Sequence, residues 1–280
     1  MATAPTGRWR ARRRLLTYLG LVVAVLITLL PFLWMLLGSF KTQGEILRDP
    51  SGFLPAHPTT GNYGTWFTRL HLGRFFLNSL VVALVTVAGN LLFCSMVGHA
   101  LAKFDFAGKR LVFALVMITL MVPGVVTFVP LFVLVTKLGL TNTYAALILP
   151  FLTSPLGVFM MRQFIGQIPD TLLEAARIDG AGELRIWARI VMPLCGPPLA
   201  TLGILTFLGS WNNFLWPLVA AQSEDMYTLP VALSLYSTGQ IATEYGLLLA
   251  GSVLVIAPIV LVFVVLQRYF TQSIATVGVK

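Results

Sequence analysis

Residues 168–198 read IPDTLLEAARIDGAGELRIWARIVMPLCGPP, the one long polar and charged segment in the second half of an otherwise apolar chain. Helix punctuation divides it. Asp170 beside Pro169 predicts a helix start with Asp170 as its cap, Glu174 falls in the early turns, and Gly180 predicts a stop in left-handed backbone. On this short helix Leu172 and Ala176 share a face four residues apart, with Ala175 beside them. The two alanines make a slim surface that another protein can approach closely. Beyond Gly180-Ala181-Gly182 a second helix is predicted from Glu183 to Met192. It carries Ile186 and Ile190 on one face and Arg185 and Arg189 on another, and Pro193, Pro197 and Pro198 end it.

Outside this segment, composition decides the class. The chain has 280 residues, 57% hydrophobic and only 10% charged, with a mean hydropathy of +0.87; soluble domains average about 25% charged. Six apolar runs reach or approach the roughly 20 helical residues that cross a hydrocarbon core. They are residues 15–37, 75–101, 111–135, 144–161, 198–220 and 246–266, and none contains Asp, Glu, Lys or Arg. Continuous runs of this length predict an all-α, polytopic membrane protein with six transmembrane helices, since barrel strands alternate over about ten residues. The absence of charge within the runs argues against proton relays, voltage sensors and intramembrane ion coordination. The expected organisation is a basic cytoplasmic N-terminus over 1–14, a six-span transmembrane domain over 15–267 and a cytoplasmic tail over 268–280.

Basic residues set the orientation. With the N-terminus inside, 14 of the 19 Lys and Arg fall on the inner side: five before the first run, three between the second and third, four in or beside 168–198, two after the sixth. The other five are Lys41, Arg48, Arg69, Arg74 and Lys137. The positive-inside rule therefore predicts a multi-pass membrane protein with both termini cytoplasmic. Net charge +9 follows from this topology and from Arg8–Arg14 beside anionic lipid headgroups, so nucleic-acid binding is the wrong reading. The first run, at about 23 residues, exceeds a cleavable signal's apolar core and reads as a retained span. Cys94 and Cys195 are predicted too far apart in topology for a disulfide, and their spacing makes no metal site.

Several stretches admit two readings. Residues 41–74 would lie outside; Pro50, Pro55, Pro58, Gly61 and Gly64 predict irregular structure, with Tyr63, Trp66 and Phe67 at the interface. That segment suits either contact with another protein outside the membrane or re-entry before the second span. Asn78, Ser79 and Asn90 suit helix packing or a pore lining. Pro123-Gly124, Pro130, Pro150 and Pro155 predict kinks, static or hinge-like. In the fifth run Ser210, Asn212, Asn213 and Trp216 are unusual in apolar surroundings, where an unpaired polar group is costly. On a continuous helix Gly209, Asn212, Asn213 and Trp216 would form one stripe of amides beside a ring. That chemistry suits sugars and equally suits a polar seam to a partner subunit.

Glu174-Ala175-Ala176, Asp179-Gly180-Ala181, Ile190 and Pro193, in type and spacing, resemble the EAA loop of ABC importer permeases. Trp211-Asn212-Asn213-Phe214-Leu215-Trp216-Pro217, Tyr227-Thr228-Leu229-Pro230, Asn78-Ser79-Leu80 and Gln267-Arg268-Tyr269-Phe270 are similar to the carbohydrate (maltose-type, MalG-like) branch of that family. The likeness runs from about Asn62 to the end, with Trp187 where a phenylalanine is expected. It implies a type I ABC importer permease fold and one half of a translocation pathway for a sugar; a polyol or glycerol phosphodiester is the alternative cargo. It also implies a second permease subunit, expected to be a different chain, two ATPase subunits and an external solute-binding protein. The loop 168–198 would couple to an ATPase through Glu174, Ala175, Ala176, Asp179, Gly180 and Ala181. Catalytic residues are expected to be absent: no phosphate-binding G-x-x-x-x-G-K-[ST] motif occurs, Gly108-Lys109 being followed by Arg110. ATP and Mg are therefore expected on the partner ATPases and no cofactor or metal on this chain. An ATP-independent secondary transporter is the reading from another class, and the uncharged spans speak against it.

Overall fold

In a hydrocarbon core backbone amides find no water, so long apolar runs fold as helices. The computed structural model describes residues 7–237 and 244–277, with side chains over 14–237 and 244–265, and every regular element among them is helical. Residues 1–6 of the basic N-terminus and the terminal Gly278-Val279-Lys280 lie outside the described residues. The helices are α1 (Gly7–Gly38), α2 (Gln43–Arg48), α3 (Gly61–Thr68), α4 (Leu72–Lys103), α5 (Lys109–Met121), α6 (Gly124–Lys137), α7 (Tyr144–Ile148) and α8 (Pro155–Gly166). They continue as α9 (Asp170–Ile178), α10 (Glu183–Ile186), α11 (Met192–Leu194), α12 (Gly196–Trp211), α13 (Leu215–Ala220), α14 (Leu229–Ser237) and α15 (Tyr245–Val277).

Among the described residues three helices are long and apolar enough to cross a membrane unaided, Arg14–Gly38, Leu72–Lys103 and Tyr245–Val265. The remaining apolar runs fold as bent pairs, and six spans result if each pair counts as one. Lys109–Met121 and Gly124–Lys137 meet at 105°, Tyr144–Phe151 and Pro155–Gly166 at 42°, Glu183–Leu194 and Gly196–Trp211 at 83°. The first bend falls at Pro123-Gly124, where proline cannot continue the hydrogen-bond ladder; the expected kink is a full break. The second falls before Pro155, whose helix is capped by Ser154 accepting from the Gly157 N–H.

The chain divides into two units. The first comprises Met1–Leu70 and Leu233–Ile256. Its segment 41–74 is more ordered than the Pro and Gly content predicts, with α2 and α3 within it. Trp66 is fully buried rather than interfacial, because its indole N–H reaches the Leu247 carbonyl at 2.9 Å. Asn62 donates to the Ser39 and Lys41 carbonyls at 2.8 and 2.9 Å, and the Lys41 ammonium to Gly52 O at 2.6 Å. These bonds satisfy backbone groups that irregular chain would leave orphaned.

The second unit comprises His71–Ala232 and Ala257–Lys280. Its α4 and α8 approach closely through small residues. A Cβ on Gly98 would meet Met161 Cβ at 2.8 Å and the Arg162 N at 2.9 Å; one on Gly157 would meet Cys94 Sγ at 2.7 Å. Cys94 and Cys195 are free, as expected, yet both belong to one buried apolar cluster. Asn78 stitches one end of α4: its amide donates to the Asp225 and Tyr227 carbonyls at 2.8 and 2.9 Å and accepts from the Tyr144 hydroxyl at 2.5 Å. With donors and acceptor satisfied, Asn78 is a packing residue.

Candidate functional site: a presented helix and an uncharged cavity

The segment 168–198 forms α9, a turn, and a second helical stretch of different build from the one predicted. Pro169 occupies the cap position and Asp170 is the first helical residue. Its carboxylate turns to Lys103, accepting from the ammonium at 2.7 Å, and this bond holds the Asp170 carboxyl below its ordinary range. At the other end Gly180 has φ +79°. The Gly180 N–H bonds the Arg177 carbonyl and the Ala181 N–H bonds the Ala176 carbonyl, a Schellman close that uses the last orphan carbonyls. Arg177 and Glu183 bridge the turn, Nε to Oε1 at 2.6 Å. Beyond α10 the backbone is a π-helical turn over Trp187–Val191 before α11. The continuous helix predicted for 183–192 is thus widened in its middle, and Pro193 lies inside α11 rather than ending the stretch.

Leu173 is the buried anchor of α9, and Ala176 and Ala181 pack half-buried on the same apolar cluster. Glu174, Ala175, Asp179 and Gly180 face outward. The two alanines therefore do different things, Ala176 seating the helix and Ala175 lining its free surface. Ile178 is 87% exposed and Leu184 67%, a pairing the sequence reading passed over. The face read from the sequence, Leu172 with Ala176, is off by one residue: Leu172 is 43% exposed and Leu173 is the buried neighbour of Ala176.

The second site is a cavity of about 330 Å³ between α4, α7–α8 and α12. Its lining is mostly apolar, with Leu147, Phe151, Leu202 and Leu205 in it; the polar groups set among them are Thr86, Asn90, Thr153, Ser154, Thr206, Ser210 and Asn213, and no charged side chain is among its lining residues. Asn90 donates to the Phe151 carbonyl at 2.6 Å. Thr86 is 2% exposed, and its hydroxyl has no partner among the described residues. Of the fifth-run candidates, Ser210 and Asn213 line the cavity, while Asn212 and Trp216 do not. The expected stripe fails because α12 stops at Trp211. Asn212 turns its amide back to the Leu208 carbonyl at 3.0 Å, and Asn213 accepts from the Trp216 N–H at 3.4 Å. Two asparagines satisfying their own backbone end one helix and start the next. Trp216 is buried, its indole N–H on the Ala146 carbonyl at 2.9 Å and its ring edge-to-face with Phe128 and Phe151. Thr86 and Thr206 were missed because a lone threonine in an apolar helix usually bonds its own backbone.

The family model for "binding-protein-dependent transport system inner membrane component" matches residues 90–276. The chain is 43% identical to the arabinooligosaccharides transport system permease protein AraQ of Halalkalibacterium halodurans, over 99% of this chain and 98% of that one. It is 34% identical to the diacetylchitobiose uptake system permease protein NgcG of Streptomyces coelicolor, over 91% and 85%. Its fold matches a chain in the crystal structure of a bacterial ABC transporter involved in import of the acidic polysaccharide alginate. There the TM-score is 0.84 at 22% identity, covering 96% of this chain and all of that one. The chain belongs to the inner-membrane components of binding-protein-dependent ABC transport systems.

Proposed function

We propose that the chain forms half of the translocation pathway of an ATP-driven importer of neutral oligosaccharides and takes up the ATPase stroke through α9. The carrying observation is a charged loop that presents Ile178 and Leu184 to its surroundings. Apolar side chains exposed beside Glu174 and Asp179, on a turn closed at both ends, suit a protein partner. That partner is an ATPase subunit, one of two, holding ATP and Mg; a second permease chain and an external solute-binding protein complete the assembly. Glu174 and Asp179 serve as polar anchors, Ala175 and Gly180 as the close-fitting surface, and Ala176 and Ala181 as the seat. Alternating access then follows from a rocking of helices around the cavity. Relatives named for arabinooligosaccharides and diacetylchitobiose support a sugar cargo, and the uncharged, largely apolar cavity with hydroxyls and amides set in it is compatible with a neutral one. An anionic phosphodiester would call for a cation there.

The test is ATPase activity in a mild-detergent pull-down of the tagged chain expressed with its chromosomal neighbours, followed by uptake in proteoliposomes. A Cβ on Gly180 would meet open space, with nothing within 4 Å. Gly180→Val therefore acts through backbone strain alone, roughly 1–2 kcal/mol or more for a β-branched residue in left-handed backbone. The expected outcome is normal membrane insertion with coupled transport abolished. Normal uptake by this variant, or a pull-down free of ATPase, would refute the reading.

A further inference from the structure

Lys103 is the last residue of α4, and its side chain is only 5% exposed. A buried ammonium is costly unless its donors are met. Here they reach the Ile168 carbonyl at 2.5 Å and the Asp170 carboxylate at 2.7 Å. These two acceptors flank Pro169, the residue that opens α9. The charges also suit their helices, a cation at the C-terminal end of α4 and an anion in the first turn of α9.

The bond matters because of what the chain itself does not connect. From α9 the backbone runs back to α8 through Gln167 and forward to α12 through the π-helical turn. No short backbone path runs to α4; Lys103 and Ile168 are 65 residues apart in sequence. Yet α4 supplies Thr86 and Asn90 to the cavity wall. Leu173 of α9 shares an apolar cluster with Leu101 of α4, and apolar contact resists compression while permitting sliding. A charge-assisted hydrogen bond to two fixed acceptors is directional and resists both. We propose that Lys103 is a positioning residue that ties α9 to α4, so that a stroke taken up by α9 moves the helix lining the cavity. This rests on the reading of α9 as the ATPase-docking helix.

The experiment uses the complete importer in proteoliposomes with its binding protein and an arabinooligosaccharide, and reads sugar taken up per ATP hydrolysed. Lys103→Met is expected to lower that ratio about tenfold, the scale of a typical coupling between sites, with the ATPase still co-purifying. Asp170→Asn keeps the Ile168 contact and changes a 73% exposed side chain, so it leaves folding intact; a fall of roughly threefold is expected. Lys103→Arg, which retains the charge, is expected to recover at least about half of the wild-type ratio. A merely structural role for Lys103 would reduce the amount of complex and leave the ratio in the assembled fraction unchanged, which overturns the inference. Should Lys103→Met fail to assemble, an unchanged ratio in Asp170→Asn overturns it equally. Gly180→Val separates the two levels. If it uncouples while the Lys103 and Asp170 variants do not, only this inference falls; if it too leaves the ratio normal, the docking-helix reading falls and takes this inference with it.

Discussion

Asp170 shows how a residue can be placed correctly in sequence and misassigned in chemistry. An acid beside proline at a helix start ordinarily caps, and here it turns away because Lys103, distant in sequence, is the stronger partner. Gly180, by contrast, was legible: a glycine after a short helix signals left-handed backbone, and φ is +79°. The Lys103 bond pulls the Asp170 carboxyl below its ordinary value. A depressed carboxyl pKa means the contact contributes above the ordinary carboxylate range and is lost as pH falls through the lowered value. The α9–α4 tie is thus expected to hold at neutral pH and to be lost only in acid, as pH falls through that lowered value. A carboxyl carbon NMR titration of Asp170 in detergent checks this. In Lys103→Met its midpoint should move upward toward the ordinary carboxylate value, because the Lys103 hydrogen bond and charge that lower it are gone, and an unmoved midpoint would mean the pair does not form.

At the scale of elements, the apolar runs marked the helices, but not where they break or which glycines bind them together. Pro123-Gly124 announced an interruption whose size, 105°, depends on packing that no local signal records. In the fifth run the stripe was drawn on an uninterrupted helix, and the two asparagines that suggested it are the residues that end that helix. The same holds for glycine. Gly124 follows a proline that marks it, whereas nothing in the sequence marks Gly98, yet of the two only Gly98 has a neighbouring backbone where a Cβ would go. Since the clash at Gly98 involves the Arg162 N and the Met161 Cβ, no flexible side chain can move aside. Gly98→Val is expected to force α4 and α8 apart at a cost of about 1–3 kcal/mol, read as a lower melting temperature in detergent and less assembled importer. Gly124→Ala, with nothing within 4 Å of its Cβ position, serves as the matched control and should melt near wild type.

For the molecule as a whole, composition and charge distribution reached the class, and the family likeness reached the transport role; the cavity's threonines and the Lys103 tie required tertiary structure. Orientation is the property on which these parts depend together, because an ATPase partner needs Glu174 in the compartment that holds ATP. The charge asymmetry argues for that side, with 14 of 19 basic residues, and it argues as strongly that the 41–74 segment lies opposite. Both positions can be read with one reagent. Cys94 and Cys195 are buried and should stay silent, whereas His57 and Glu174 are exposed. A membrane-impermeant maleimide on right-side-out vesicles is expected to label His57→Cys and not Glu174→Cys, and inverted vesicles should exchange the two. The reverse pattern would put Ile178 and Leu184 outside with the binding protein, where no nucleotide-driven stroke could reach α9, and the cavity would then need another source of work.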